Sequence, residues 1–383
     1  MAHSPVSDIT RLAEQIRETS APLRIEGGGS WLHAGGPWAP AASLSVRHLR
    51  GIRAYTPGDL VVTVAAGTSL AELAAATAEH GQMLALDPYG TPDDTIGAVV
   101  ATASPAPLAL GDHRVRDLVL GVQVVTGDGV VMRAGGHVVK NVAGFDLVRL
   151  QTGAWGTLGV ITEVSLRLHA RPPVDQLVCA AVPHADTGAL DDLLPAVLAQ
   201  RVPLPMLLVS PPGWEPQLWA RLTGNTSRVR ALHARLRALP VGDVRDAPDD
   251  ETWRTLRTTP SEAIVLRART HRSDAVPFVR AARDAFESAT LSYDPAHGSL
   301  RLVMPGTGLA TLERDMATWY RLAAARGAMH RMTVVVDQGR TWSAPYQSPR
   351  TPLEAGVKRA FDARDVLNRL AELRPSTRAH PDA

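Results

Sequence analysis

The chain has 383 residues, 40 basic against 38 acidic side chains, a formal charge of +2 and one cysteine. That length suits two domains with sizeable cores, and the near-balance of charge gives no electrostatic case for binding nucleic acid or a membrane surface. A lone Cys179 excludes an internal disulfide and any iron–sulfur cluster held by the cysteines of this chain alone.

In chain order, Ser7 to Thr19 places Ile9, Leu12 and Ile16 on one helical face, with Ser7 or Asp8 as cap, and predicts an amphipathic helix. Leu23-Arg24-Ile25 is a short strand that runs into Glu26, Gly27, Gly28, Gly29 and Ser30. Gly35, Gly36, Pro37 and Pro40 follow and rule out a long helix, so the glycines do not form a Rossmann fingerprint, which must open one. A strand followed by GGGS and a loop suits a nest of N–H groups for a pyrophosphate; a plain flexible turn uses the same residues.

Asp59 to Gly81 reads as a strand, LVVTVAAG, then a capping box from Ser69 to Glu72 and a helix through His80 stopped by Gly81. Leu70, Leu73 and Ala74 are its core positions. In Asp87 to Ala103, turn residues lead to Thr95, Gly97 and a run of small side chains, suited either to a planar or phosphate-bearing ligand or to tight helix packing. From Val115 to Arg133, two apolar runs flank Gly127-Asp128-Gly129, a hairpin signature, with Arg116-Asp117 at its mouth.

Lys140 to Leu168 combines apolar Val142, Phe145, Leu147 and Leu150 with Gly153, Gly156 and Gly159, then alternates apolar and polar residues as a strand. Such glycines let backbone amides approach a ligand, or serve only the freedom of a connection. Beyond Arg171-Pro172-Pro173, strands VCAAV, MLLVS, LWARL, AIVLRA, LRLVM and TVVVD interleave with helices near 186–200, 226–239, 274–288 and 309–326. These predict a mixed sheet backed by helices. Arg228, Arg230, Arg235 and Arg237 form a solvated basic face. Trp342 to Pro352 is the predicted linker, Leu353 to Leu370 a helix with Val357, Phe361 and Leu367 on one side, and 371–383 a disordered tail.

The order GGGS, TIGAVVATA, VRDLVLGVQVVTGDGVVMRAGG, KNVAGFDLVRLQTGAWGTLGVITEVSLRL resembles the FAD-binding domain of the vanillyl-alcohol-oxidase and p-cresol-methylhydroxylase (PCMH) superfamily. Within it, KNVAGFDL followed by GTLGVITEVSL is most similar to the FAD-binding E subunits of bacterial glycolate oxidases. The likeness runs from about residue 20 to residue 172 and is thin afterwards. It implies an α+β chain: a PCMH-type, two-subdomain FAD-binding domain at 1–172, a mixed-sheet cap for substrate or partner contact at 173–341, and a linker, C-terminal return helix and tail at 342–383.

By the same resemblance, Gly27, Gly28, Gly29 and Ser30 bind the pyrophosphate of FAD, Thr95 and Gly97 line the flavin side, and Gly153, Gly159 and Ile161 present backbone groups to the cofactor. Two departures stand out. Ala98 replaces the second glycine of a usual pair, and Asn368 is followed by Arg369-Leu370 where the family has Pro-Gly. The glycine loop carries Ser30 rather than an attachment residue, so FAD is expected to be non-covalent, with His33 a loop side chain.

The function implied is that of an accessory FAD-dependent oxidoreductase subunit in a glycolate oxidase (glycolate dehydrogenase) type complex, acting on the CH–OH group of 2-hydroxy acids. Its expected partners are a sister FAD subunit and an iron–sulfur subunit. Oxidising a 2-hydroxy acid needs a cation for the carboxylate and a base near the hydroxyl. Arg267 and His271, alternating with Arg269 on one predicted strand, are the candidate clamp and base for a self-sufficient, D-lactate-like dehydrogenase; Arg301 lies on another strand. A third reading is a scaffold that has lost FAD. With no His-x-x-His, no His-Glu-x-x-His and no compact carboxylate cluster, no metal site is expected. No leader opens the sequence and its apolar runs are shorter than the ~20 residues of a bilayer span. The expected location is cytoplasmic, peripheral on the inner membrane only through partners.

Overall fold

The computed structural model describes residues 5–30, 42–106, 108–110, 113–136, 146–182, 189–200, 206–210, 215–247, 250–260, 263–305, 309–325, 330–335 and 352–368. His33, the stretch Lys140 to Phe145, nearly all of the proline-rich linker and the 371–383 tail lie outside them.

The amino-terminal half is built in two small layers. Helix α1 (Pro5–Glu18) lays Leu12 and Ile16 on a parallel pair, β1 (Leu23–Glu26) and β2 (Ala42–Ser45). Beside it stands a five-stranded antiparallel sheet in the order β3 (Ile52–Thr56), β4 (Val61–Ala65), β8 (Val160–Arg167), β6 (Val119–Val125), β7 (Val131–Gly135). Strand β8 is central, so the Val160–Leu168 alternation buries one face almost completely. Its Val164 and Leu166 meet Val62, Val64, Leu118 and Val122 in one apolar cluster. The hairpin at Gly127–Gly129 joins β6 to β7, with Gly129 at φ +71°.

Helices α2 (Leu70–Ala78), α3 (Ile96–Thr102), α4 (Val115–Leu118) and α5 (Leu147–Gln151) complete this half. The predicted capping box opens α2: the Ser69 hydroxyl accepts from the Glu72 N–H at 3.1 Å, and Glu72 accepts from the Ser69 N–H at 2.8 Å. The run of small residues after Asp94 is a helix, α3, capped by the Thr95 side chain. Short strands β5 (Gln82–Met83) and β9 (His169–Ala170) pair where the chain leaves for the cap.

The cap is an eight-stranded sheet. Its strands are β10 (Val174–Ala181), β11 (Met206–Ser210), β12 (Gln217–Gly224), β13 (Arg245–Asp246), β14 (Ile264–Thr270), β15 (Thr290–Asp294), β16 (Ser299–Met304) and β17 (His330–Val335), in the order β13-β10-β12-β11-β15-β16-β14-β17. Helices α6 (Ala189–Leu198), α7 (Thr226–Arg237), α9 (Ala275–Ala285) and α10 (Leu309–Ala325) alternate with the strands, and those with described side chains at the centre pack on one face through Leu193, Leu232, Phe278 and Trp319. Helix α8 (Asp250–Arg257) follows β13 in the chain.

The expected mixed sheet is corrected to an antiparallel one: every described pairing in it is antiparallel. The reason is a duplication. Strand–helix–hairpin–helix–strand occurs twice, as β10-α6-β11-β12-α7-β13 and β14-α9-β15-β16-α10-β17, and the strand order reads the same from either edge. In each copy the first strand pairs with the third instead of crossing over to a parallel neighbour.

The tail helix α11 (Pro352–Phe361) is shorter than predicted. It stops because the Asp362 carboxylate accepts from the N–H groups of Val366 and Leu367, both at 2.9 Å, and turns the chain back on the amino-terminal half. There Arg364 donates to the carbonyls of Ile16 at 2.6 Å and Gly127 at 3.0 Å. Among the described residues, no helix is long and apolar enough to cross a membrane.

Candidate functional site

The turn after β1 and the turn before β8 open onto one groove of about 750 Å³, counting the space open to solvent. One wall is Gly27, Gly28, Gly29 and Ser30; facing it are Gly97, Ala98 and Thr102 of α3, and Trp155, Gly156, Gly159 and Ile161 complete the lining. A Cβ on Gly27 would stand 2.4 Å from the Thr95 hydroxyl oxygen, so only glycine lets these two segments meet. Gly29 has φ +94°, which turns the loop where a side chain would be strained.

Eight of the nine cofactor positions expected from the sequence therefore lie on or immediately behind this groove. Thr95 sits behind the wall as the α3 cap. Gly153 is set further back, its N–H donating to Val100 O at 3.0 Å. Ala98, the departure from a paired glycine, turns its methyl toward the groove's rim, 3.6 Å from where a Gly27 Cβ would lie.

Sequence reasoning gave none of three residues here a place at the groove, although Asn368 stood out in the return segment. Trp155 holds φ +56°, a left-handed conformation a bulky residue adopts only when its surroundings impose it. Its N–H donates to Ala101 O at 2.8 Å, and its carbonyl accepts from Asn368 Nδ2 at 2.7 Å. Asn368 also accepts from the Ile25 N–H at 2.8 Å. The tail thus ties the strand before one glycine cluster to the turn within the other. Asp94 is the third. It accepts from the Ser30 hydroxyl and from the Thr91 N–H at 3.0 Å, and burial pushes its carboxyl above the usual range. A tryptophan between two glycines was a further legible signal.

The cap presents cations to this half. Arg267 and Arg301 are register partners on β14 and β16. The Arg267 guanidinium stands 5.4 Å over the Trp155 ring and that of Arg301 4.3 Å over Tyr89. Burial, with Arg301 and Arg269 adding repulsion, lowers the Arg267 pKa to about 9, which leaves it charged at neutral pH. Burial also pushes the Tyr89 phenol up to about 12.

Arg269, two residues on, shares the face of Arg267, whereas His271 lies past the end of β14, exposed, with its carbonyl accepting from the Asp274 N–H. It lines neither the groove nor the neighbouring cleft. Among the described residues no group of three or more His, Cys, Asp or Glu is placed to hold a metal ion. None of the described side chains lining the groove is a histidine or cysteine, the residue types that attach a flavin covalently.

Residues 4–135 match a family model described as an FAD binding domain. The chain is 36% identical over 226 residues to the glycolate oxidase subunit GlcE of Escherichia coli K12, an alignment covering 57% of this chain and 62% of that protein. It is 30% identical over 183 residues to glycolate oxidase subunit GlcD of Bacillus subtilis, covering 48% and 39%. With a D-lactate dehydrogenase of Archaeoglobus fulgidus it shares 29% over 204 residues, covering 52% and 44%. The chain thus spans about three fifths of the first of these proteins and about two fifths of the other two. An alkyldihydroxyacetonephosphate synthase structure shares the fold at a TM-score of 0.63, over 94% of this chain and 74% of that one, with 15% identity.

Proposed function

We propose that the chain, whose residues 4–135 match an FAD binding domain, is the PCMH-type FAD-binding subunit of a glycolate oxidase type complex that oxidises 2-hydroxy acids to 2-oxo acids. The observation that carries this reading is the convergence of two glycine clusters, far apart in sequence, on one groove bordered by small side chains. Gly27 to Ser30 hold the pyrophosphate on backbone N–H groups, with Thr95 and Gly97 on the flavin side. Gly159 and Ile161 offer backbone groups from the opposite wall, with Gly153 behind them, its N–H donating to Val100 O. FAD, when bound, supplies a two-electron acceptor for hydride.

The chain's own residues orient and enclose that group. Trp155, held by Ala101, Asn368 and Arg267, forms the end of the groove nearest the cap. The lack of histidine and cysteine on the described lining supports an FAD held without a covalent bond. One cysteine cannot carry an electron relay, which supports a sister flavin subunit and an iron–sulfur subunit as partners. A second reading, a self-sufficient dehydrogenase with Arg267 as carboxylate clamp and His271 as base, draws support from the orientation of Arg267 toward Trp155.

Visible spectroscopy of the purified chain tests the first reading: flavin bands are expected, and acid precipitation should release all flavin to the supernatant. Gly27→Ala should lower flavin content more than tenfold, because its Cβ meets Thr95, while Gly58→Ala, with open space around it, should not. A colourless chain would sink the flavoprotein assignment. Bleaching of the bands by glycolate in the isolated chain, abolished by Arg267→Ala, would favour the self-sufficient enzyme.

A further inference from the structure

Behind the far end of α3 lies a second cleft, of about 760 Å³ including its open mouth, between the two halves of the molecule. Arg114 and Arg116 reach it from the amino-terminal half, and Arg269, with His297 and Ser299 of the β15–β16 hairpin, from the cap. It shares a wall with the FAD groove: Ala101 and Thr102 line the groove and Ala103 and Ser104 the cleft, while Thr152 faces the cleft three residues before Trp155.

The charges in this cleft are unbalanced in a way those around it are not. Elsewhere at the join, Arg221 has Asp175 at 2.7 Å and Arg257 has Asp87. Among the described residues, neither Arg114 nor Arg269 has a carboxylate within ion-pair distance, and Arg116 reaches only its neighbour Asp117, at 3.8 Å. The acid at hand, Asp294, is committed to its own turn: it accepts from the N–H groups of Ala296 at 2.9 Å and His297 at 3.2 Å, and from His297 Nδ1 at 2.7 Å. Burial and then the two neighbouring arginines lower the Arg269 pKa. Like charges gathered in a partly desolvated cleft repel one another, and a bound anion offsets that cost.

We infer that this cleft is the docking site for the carboxylate of the 2-hydroxy acid, clamped between Arg269 of the cap and Arg114 and Arg116 of the FAD-binding half. The inference rests on the flavoprotein reading for the identity of its ligand and places the clamp at Arg269, which lines the cleft, rather than at Arg267, which does not. A site made by both halves couples substrate binding to their mutual position.

Titration calorimetry of the flavin-loaded chain with oxalate, an unreactive carboxylate, and with glycolate tests it. Arg269→Gln and Arg114→Gln, one from each half, should each weaken both anions at least tenfold with flavin content unchanged. Arg230→Gln, remote on α7, should bind as the parent does. No binding by the parent chain, or parental affinity in both cleft variants, overturns the site, as does tighter binding of inorganic phosphate than of either carboxylate. A chain without flavin whose oxalate binding is still lost in Arg269→Gln and Arg114→Gln would keep the cleft and remove the flavoprotein reading instead.

Discussion

The two copies within the cap meet the rest of the molecule with opposite chemistry. In the first, the strand face turned from the helices carries Cys179 and Trp219, register partners on β10 and β12, with Leu207 and Val209 of β11 beside them. They pack on Leu108 from the FAD-binding half and on Trp253 of α8. In the second, the matching strand pair, β14 and β16, carries Arg267 and Arg301. One topology thus supplies an apolar plug and a cationic plate. The plug is satisfied by burial alone, whereas the guanidiniums of the plate lie over rings, Arg267 over Trp155 and Arg301 over Tyr89. The first copy fixes the join, and the second presents cations to it.

The strongest way to break this comparison is to hollow out the plug. Trp219 is 1% exposed, and Trp219→Ala should cost about 3–5 kcal/mol, read by denaturant unfolding. A loss near that expected at an exposed site would mean that the first copy is no anchor. Next comes the ionic collar around the plug. Asp87, on the FAD-binding side, accepts from Trp253 Nε1 at 2.6 Å and from Arg257, with Arg221 at 3.7 Å. Asp87→Asn leaves Arg257 short of its carboxylate, while Arg221 keeps Asp175, and should cost about 3 kcal/mol. The same assay checks it, and unchanged stability would reduce the collar to decoration.

The second copy should respond more weakly. Arg301→Met keeps the stem over Tyr89 and removes the hydrogen bond to Thr259 Oγ1 at 2.8 Å. It also removes a buried charge that was costly to place, so the net loss should be about 1 kcal/mol. A loss equal to that of Trp219→Ala would erase the distinction between plug and plate.

Much of this architecture was legible because it rests on local pattern. The Ser69–Glu72 box, the Gly127–Gly129 hairpin and the alternation through Ile264 to Thr270 each settle within a few residues. Three glycines from Gly27, and those at 156 and 159, marked the groove walls. Strand β15 was missed because Leu291-Ser292-Tyr293 is too short for its alternation to stand out, and α8 because its residues, DETWRTLR, read as polar surface. The duplication was hidden for a physical reason: the copies share strand pairing, which is set at long range, but not the side chains on their outer faces. The roles of Arg114 and Asn368 depend on segments more than a hundred residues away, beyond any local signal.

The smallest effect expected concerns the groove, where the charge has the other sign. Asp94 touches Ser30 in the loop that would hold the pyrophosphate, and burial raises its pKa, while the Ser30 hydroxyl, the Thr91 N–H and Arg257 pull it back. A carboxyl whose folded pKa is raised is stabilised in its neutral form. Its contribution is therefore present at low pH and lost as pH rises through the raised pKa. A bound pyrophosphate, itself anionic, strengthens that preference. Flavin affinity should then fall a few-fold as pH rises from the ordinary carboxylate range through the Asp94 titration, an effect of about 1 kcal/mol at most. Asp94→Asn should flatten the profile at its low-pH level, and Ser30→Ala, by removing a donor to the carboxylate, should move the midpoint up. Fluorescence titration of the apoprotein with FAD across that range reads all three. An affinity that rises with pH, or a profile unchanged by Asp94→Asn, would place the pyrophosphate away from this loop.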